Sequence, residues 1–151
     1  MTYSAEVVTD ALLYQCRLRG LSVSNLMLQK LLYYAQGWSL VLRDEPLFND
    51  EIEAWVHGPV VPSVFRRFKH LKWDAIAEQT TSRVDAIVHR HLNSVLDVYG
   101  KYQPKQLERL THSERPWCET RKGLAADEPS NQVIPKALMR DYFGSLAGAR
   151  G

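Results

Sequence analysis

Cysteine is scarce: Cys16 and Cys118 are the only two in 151 residues, they lie far apart, and neither belongs to a C-x-x-C pair. That argues against a disulfide framework or a zinc knuckle and fits a reducing compartment. Long apolar runs are missing too. Nothing approaches the roughly 18 residues that span a bilayer, and the start, MTYSAEVVTDALLY, has no basic stretch ahead of its apolar residues. A cytoplasmic chain with no membrane partner is therefore expected. Charge of one sign is also in short supply. Nineteen basic residues against 17 acidic ones leave a formal charge of +2, too little for the concentrated basic field of a nucleic-acid binder. There is no Gly-rich phosphate loop, G-x-S-x-G, H-E-x-x-H or closely spaced carboxylate pair, so an enzyme reading has no positive support and no cofactor is implied.

What the chain does have is apolar substance. With 45% hydrophobic residues, four tryptophans and seven tyrosines, it can bury one sizeable core but not two. Ser4 is placed to cap a first helix carrying Val7, Val8, Ala11, Leu12 and Leu18, and Gly20 to end it. Ser24 opens a second. There Leu28, Leu31, Leu32, Ala35 and Trp38 share one face, and Leu26, Met27, Tyr33, Tyr34, Leu40 and Val41 make the rest apolar, which places Leu26 to Leu42 at the centre of the core.

Alternation over Glu51 to Val56 predicts a short strand with Ile52, Ala54 and Val56 on one side. Gly58 and Pro59 stop it, and Val61, Val64, Phe65, Phe68 and Leu71 predict a third helix. Lys72 to Thr81 reads as a loop. Ser82, three before Asp85, predicts a capping box for a helix through Tyr99. Shorter helices follow from Pro104 and from Pro116 to Lys122, then a loop from Ala125 to Asn131. Ile134, Leu138 and Tyr142 predict a last helix, with a frayed tail from Gly144.

Three clusters invite a chemical reading. Cys118 with His112 would make a thiolate and its base, but no oxyanion-forming turn surrounds the cysteine, and a packed thiol is the plainer reading. His89 and His91 fall on different helix faces and cannot readily share a metal, so no metal site is expected. Arg66, Arg67, Lys69, His70 and Lys72 make a basic run: a solvated face, a patch for an acidic protein, or a phosphate contact.

Ile52 to Pro62, IEAWVHGPVVP, differs in kind, because it packs a Trp, a His, a Gly and two prolines into a few positions. Two readings stay open. Gly58 and Trp55 either shape and fill the core, or the bend presents Trp55 and His57 as interface anchors.

LQKLLYYAQGW (Leu28 to Trp38), PLFNDEIEAWVHGPVVPSVFRRF (Pro46 to Phe68) and LTHSERPW (Leu110 to Trp117) resemble, in order and spacing, the Panacea domain. This is the antitoxin-type domain of SocA-like and phage-associated GepA-like proteins. The resemblance implies a mainly α, compact, single-domain bundle of about six to seven helices with one short strand or small hairpin near residues 46–57. The domain would span residues 1–146, followed by a flexible tail at 147–151. It further implies the neutralising half of a bacterial or prophage toxin–antitoxin pair, acting by direct binding to its toxin. One branch of the family acts as an adaptor that delivers the toxin to the ClpXP protease, and a helical nucleic-acid-binding regulator is a third reading. Expected partner-binding residues are Trp55, His57, Gly58, Pro59, Val60, Arg66, Arg67 and Lys69. Expected core residues are Leu28, Leu31, Leu32, Ala35, Phe65, Phe68, Leu92 and Trp117.

Overall fold

In the computed structural model, which describes the backbone of residues 2–150 and the side chains of residues 2–148, Ser4 caps α1 (Ala5–Leu18) as its residue type predicts. Its Oγ accepts from the Val7 N–H at 3.2 Å, and Glu6 lies in the first turn, where the helix dipole favours a carboxylate. The helix closes on a Schellman turn. Gly20, at φ +68°, donates to the Arg17 carbonyl, and the Leu21 N–H reaches back to Cys16.

Ser24 caps α2 (Asn25–Leu42), and this helix is buried over nearly its whole circumference. The predicted core residues Leu28, Leu31, Leu32 and Ala35 are fully enclosed. The buried polar side chains of α2 bind irregular backbone elsewhere. Gln36 donates to the Phe48 carbonyl at 2.8 Å and accepts from the Leu47 and Phe48 N–H groups. Ser39 donates to the Glu45 carbonyl. Gln29 accepts from the Val61 N–H at 2.8 Å and donates to Asn25, which in turn donates to the Phe65 carbonyl. Backbone groups that neither a helix nor a sheet satisfies are thus paired inside the core, as burial demands.

The predicted strand is the first arm of a hairpin. β1 (Glu53–Trp55) and β2 (Gly58–Val60) pair antiparallel, Glu53 with Val60 and Trp55 with Gly58, around a two-residue turn at Val56 and His57. Val56 therefore leaves the alternating face on which Ile52 and Ala54 are buried. A distant segment covers the other edge of β1: Ala54 donates to the Gln132 carbonyl, and the Ile134 N–H donates to Ile52.

The chain continues through α3 (Pro62–Phe68), a 3-10 turn (Lys69–Leu71), α4 (Ala86–Tyr99), α5 (Pro104–His112), α6 (Arg115–Thr120) and α7 (Lys136–Arg150). The described residues thus form a mainly α domain of seven helices and one small hairpin. α2 lies at its centre, packed against α3, α4, α5, α7 and β2.

Four local expectations are corrected. Asp85, not Ser82, caps α4 by accepting from the Val88 N–H, because Ser82 is engaged by His89 at 2.7 Å. Ile134 precedes α7 and pairs with the hairpin, so Met139 and Phe143 form the buried stripe while Leu138 and Tyr142 are only half-buried. α7 continues through residues 144–150, where a frayed tail was expected; position 151 lies outside the described residues. Phe65 is half-buried rather than core, whereas Phe68, Leu92 and Trp117 are buried.

An aromatic layer joins α2, α4 and α7. Tyr34 stacks on Tyr99 at 3.8 Å, Trp38 donates to the Tyr99 hydroxyl, and Phe143 meets Tyr33 and Trp38 edge-on. Beneath it lies Glu114, 4% exposed, which accepts from the Tyr33 and Tyr34 hydroxyls at 3.0–3.2 Å. Burial raises its carboxyl to about 7, against the pull of the tyrosine donors.

Two predictions follow from this packing. A Cβ on Gly37 would lie 2.2–2.7 Å from ring atoms of Phe143. Gly37→Ala is therefore expected to cost about 1–3 kcal/mol by overpacking, more than the ~1 kcal/mol alanine gains in helix propensity. An unchanged or raised urea midpoint would show that the ring yields. For Glu114, the folded state holds its proton more tightly than the unfolded chain, whose carboxyl titrates near 4.5. Its contribution is full below about pH 4.5 and is lost as pH rises through about 7, a decline on the order of 3 kcal/mol. Glu114→Gln should flatten that part of the stability–pH curve, and a variant curve parallel to the parent's would contradict the assignment.

Candidate functional site

The hairpin is held from behind by the third sequence block. Trp117 Nε1 donates to the Trp55 carbonyl at 2.8 Å, and Arg121, 4% exposed, donates to the Ala54 carbonyl at 3.0 Å and to the Glu128 carbonyl at 2.5 Å. Together these bonds, those of Arg121 charge-assisted, fix both the hairpin and the loop beside it. Gly58, at φ +126°, sits with its backbone 3.2–3.3 Å, measured to an ideal Cβ, from Thr111 Oγ1 and Lys30 Cε, so no larger residue fits there without strain.

Held this way, the hairpin turns one side of Trp55 outward. The Trp55 indole donates to Glu53 Oε1 at 2.8 Å and meets Phe65 edge-to-face at 4.9 Å. These two rings, with Leu26, Lys69, Lys72 and Trp73, line a groove of about 1000 Å³. Trp73 is 82% exposed, far more than an indole in a folded chain needs to be. A second groove of about 680 Å³ adjoins the first at Leu26, His57 and Trp73 and runs past Lys30 and Glu108 toward α5.

The candidate contact residues divide. Trp55 is half-exposed and His57 exposed at the turn, its Nδ1 3.2 Å from Glu108 Oε1. Arg66 and Lys69 are exposed. Gly58, Pro59 and Val60, expected at the contact surface, are buried in the hairpin. Arg67 is committed elsewhere: its guanidinium binds Glu6 at 2.6 Å, Asp10 at 2.9 Å and Glu78, and tethers α3 to α1 and the following loop.

The other candidates form no catalytic arrangement. The Cys118 thiol lies against the His112 carbonyl at 2.9 Å, while the His112 ring stacks on Trp117 at 4.0 Å. Burial and the carboxylates of Glu114 and Glu119 raise the thiol above its ordinary value, the opposite of activation. His89 is bonded through both ring nitrogens, to Gln15 and Ser82, and His91 donates to the Ala35 carbonyl. Among the described residues no helix is long and apolar enough to cross a membrane.

Sequence reasoning missed Trp73 and Lys30. The signals were present: a tryptophan in an otherwise polar loop, and a lysine within LQKLLYYAQGW, at a position the surrounding pattern buries. Lys30 is 4% exposed, and burial lowers its ammonium to about 8 despite the nearby Glu108.

The antitoxin SocA-like Panacea domain matches residues 28–118, from the first turns of α2 into α6. The chain is 36% identical to antitoxin SocA of Caulobacter vibrioides (strain NA1000 / CB15N), over 92% of this chain and 81% of that protein. No solved structure matches. The matched span contains the hairpin, the exposed Trp73, Lys30, and Trp117, which bonds the hairpin. This chain belongs to the SocA-like, Panacea-domain antitoxin family.

Proposed function

We propose that this protein neutralises a toxin by binding it directly, through the groove between the hairpin, α3 and the Trp73 loop. One observation carries the reading: an indole 82% exposed faces a groove already lined by Trp55 and Phe65. Tryptophan is the residue type most often found as an interface anchor, and a half-open aromatic groove with a polar rim is how such anchors are arranged. The nucleic-acid reading is weaker, because Arg67, central to the basic run, is spent on three carboxylates.

A second reading, the adaptor that hands its toxin to a protease such as ClpXP, requires a further contact surface. A separate apolar cleft of about 280 Å³ near Leu42, 66% exposed, and Val98 shares no residue with the aromatic groove and is the place such a contact would be sought. The two readings part on turnover. Under occlusion the toxin's half-life is the same with and without the protease, and under adaptor action it lengthens when the protease is removed.

The direct test is co-expression with the product of an adjacent gene that is lethal alone. Rescue together with co-purification is expected. Trp73→Ala should weaken the complex by about 2 kcal/mol or more, roughly thirtyfold, with the unfolding midpoint unchanged because the side chain is solvent-exposed. Full-strength co-purification by this variant would remove the groove from the interface.

A further inference from the structure

Lys30 gives this groove a chemical preference. Its side chain leaves the middle of α2 beneath Gly58, and its ammonium makes one hydrogen bond among the described residues, 3.3 Å to the Leu26 carbonyl. An ammonium has three N–H donors, so a lysine 96% buried is left largely unpaired where desolvation is costly. The carboxylate closest in its effect, Glu108, is taken by His57 at 3.2 Å and Lys105 at 3.9 Å. The rest of the lining has the same bias. Lys69 and Lys72 border the aromatic groove and Lys30, Lys101 and Lys105 the adjoining one, while Glu108 is the one carboxylate among the described residues lining either, and Glu53 at the margin is hydrogen-bonded to the Trp55 indole.

Two other occupants fit less well. Strand addition has no free edge to use, since β1 is bonded to residues 132–134 and the Val61 N–H beyond β2 is held by Gln29. A nucleic-acid strand needs a run of cations along its backbone, and Arg67, central to the basic run, is held by Glu6, Asp10 and Glu78.

We infer that the two grooves together take an acidic–apolar segment of the protein partner, with its apolar side chains against Trp55, Phe65 and Trp73 and a carboxylate on the Lys30 ammonium. This assignment rests on the direct-binding reading and adds to it the chemistry of what is bound. Partner binding completes an ion pair that the free protein leaves half-made, on a lysine only 4% exposed, where the pair discriminates between sequences. Gly58 is then required twice, for its backbone angle and for the clearance it leaves above Lys30.

The test uses the full chain and two labelled peptides, one alternating aspartate with leucine and phenylalanine, the other with lysine in place of aspartate. Fluorescence anisotropy should show the acidic peptide binding and the basic one at least roughly thirtyfold weaker. Lys30→Met, which replaces a buried charge by an apolar chain of similar length, should abolish that preference with the fold retained. If Lys30→Met does not fold, Lys101→Glu combined with Lys105→Glu, both on exposed positions, should reduce acidic-peptide binding to a similar degree. Equal binding of both peptides, no binding of the acidic one, full binding by the lysine variants, or displacement of the acidic peptide by oligothymidylate would each overturn the inference. Co-purification with the toxin separates the two levels of the argument. Loss with Trp73→Ala but not with the lysine variants leaves the groove and removes the carboxylate, whereas indifference to all of them removes both.

Discussion

Everything in this domain is arranged around α2, a helix with no solvent face to spare. A helix buried over nearly its whole circumference has little room to place polar residues outward, so most must find a partner inside. Gln36 and Ser39 hold the loop after α2, and Gln29 and Asn25 hold the hairpin and α3. Tyr33 and Tyr34 converge on Glu114 at the start of α6. Short, irregular segments that could not fold alone are thereby tied to one rigid rod. A polar network of this kind specifies a unique packing only while every member is satisfied, so loss of one partner strands the others.

The same logic explains why the three recognisable blocks of sequence travel together. The hairpin is bonded from one side by Gln29 of the first block and from the other by Trp117 of the third, with Arg121 just beyond it. Gly58, Pro59 and Val60 are therefore architecture, and what they present is the outward side of Trp55 and the turn at His57. The buried scaffold and the exposed rim are different residues of one segment.

Most of the helices were legible because their signals are local. Ser4 and Ser24 mark starts by backbone chemistry alone, and the all-round apolar pattern of α2 announced its central place. Where reading failed, a distant contact had decided between local options of similar merit. Ser82 and Asp85 are both capping residues, and the bond from Ser82 to His89 left the cap to Asp85. Ile134 has helical spacing with Leu138, yet Ile52 captured its N–H for the hairpin. Phe65 keeps core periodicity but faces a groove, because nothing in the described fold covers it. Of the candidate site, only Trp55, His57 and part of the basic run were visible, since exposure and a buried unpaired charge are properties of packing rather than of pattern.

Departures from local consistency are informative when they gather in one place. An indole in solvent at Trp73, a buried ammonium with one hydrogen bond at Lys30 and a backbone at φ +126° at Gly58 each oppose stability for separate reasons; Trp73 and Lys30 line one groove, and Gly58 abuts the Lys30 side chain. His112 adds a fourth: its Nε2 is buried with no hydrogen-bond partner, and burial lowers the ring's pKa. Elsewhere the buried amides of Asn25, Gln29 and Gln36 are paired, and α1, α2 and α4 carry side-chain N-caps. Selection for stability alone would have put an apolar residue at position 30 and a polar one at position 73, changes that leave the α2 network intact. On the direct-binding proposal these costs have a physical return, because groups that are expensive in the free protein are the ones a complementary ligand satisfies on binding.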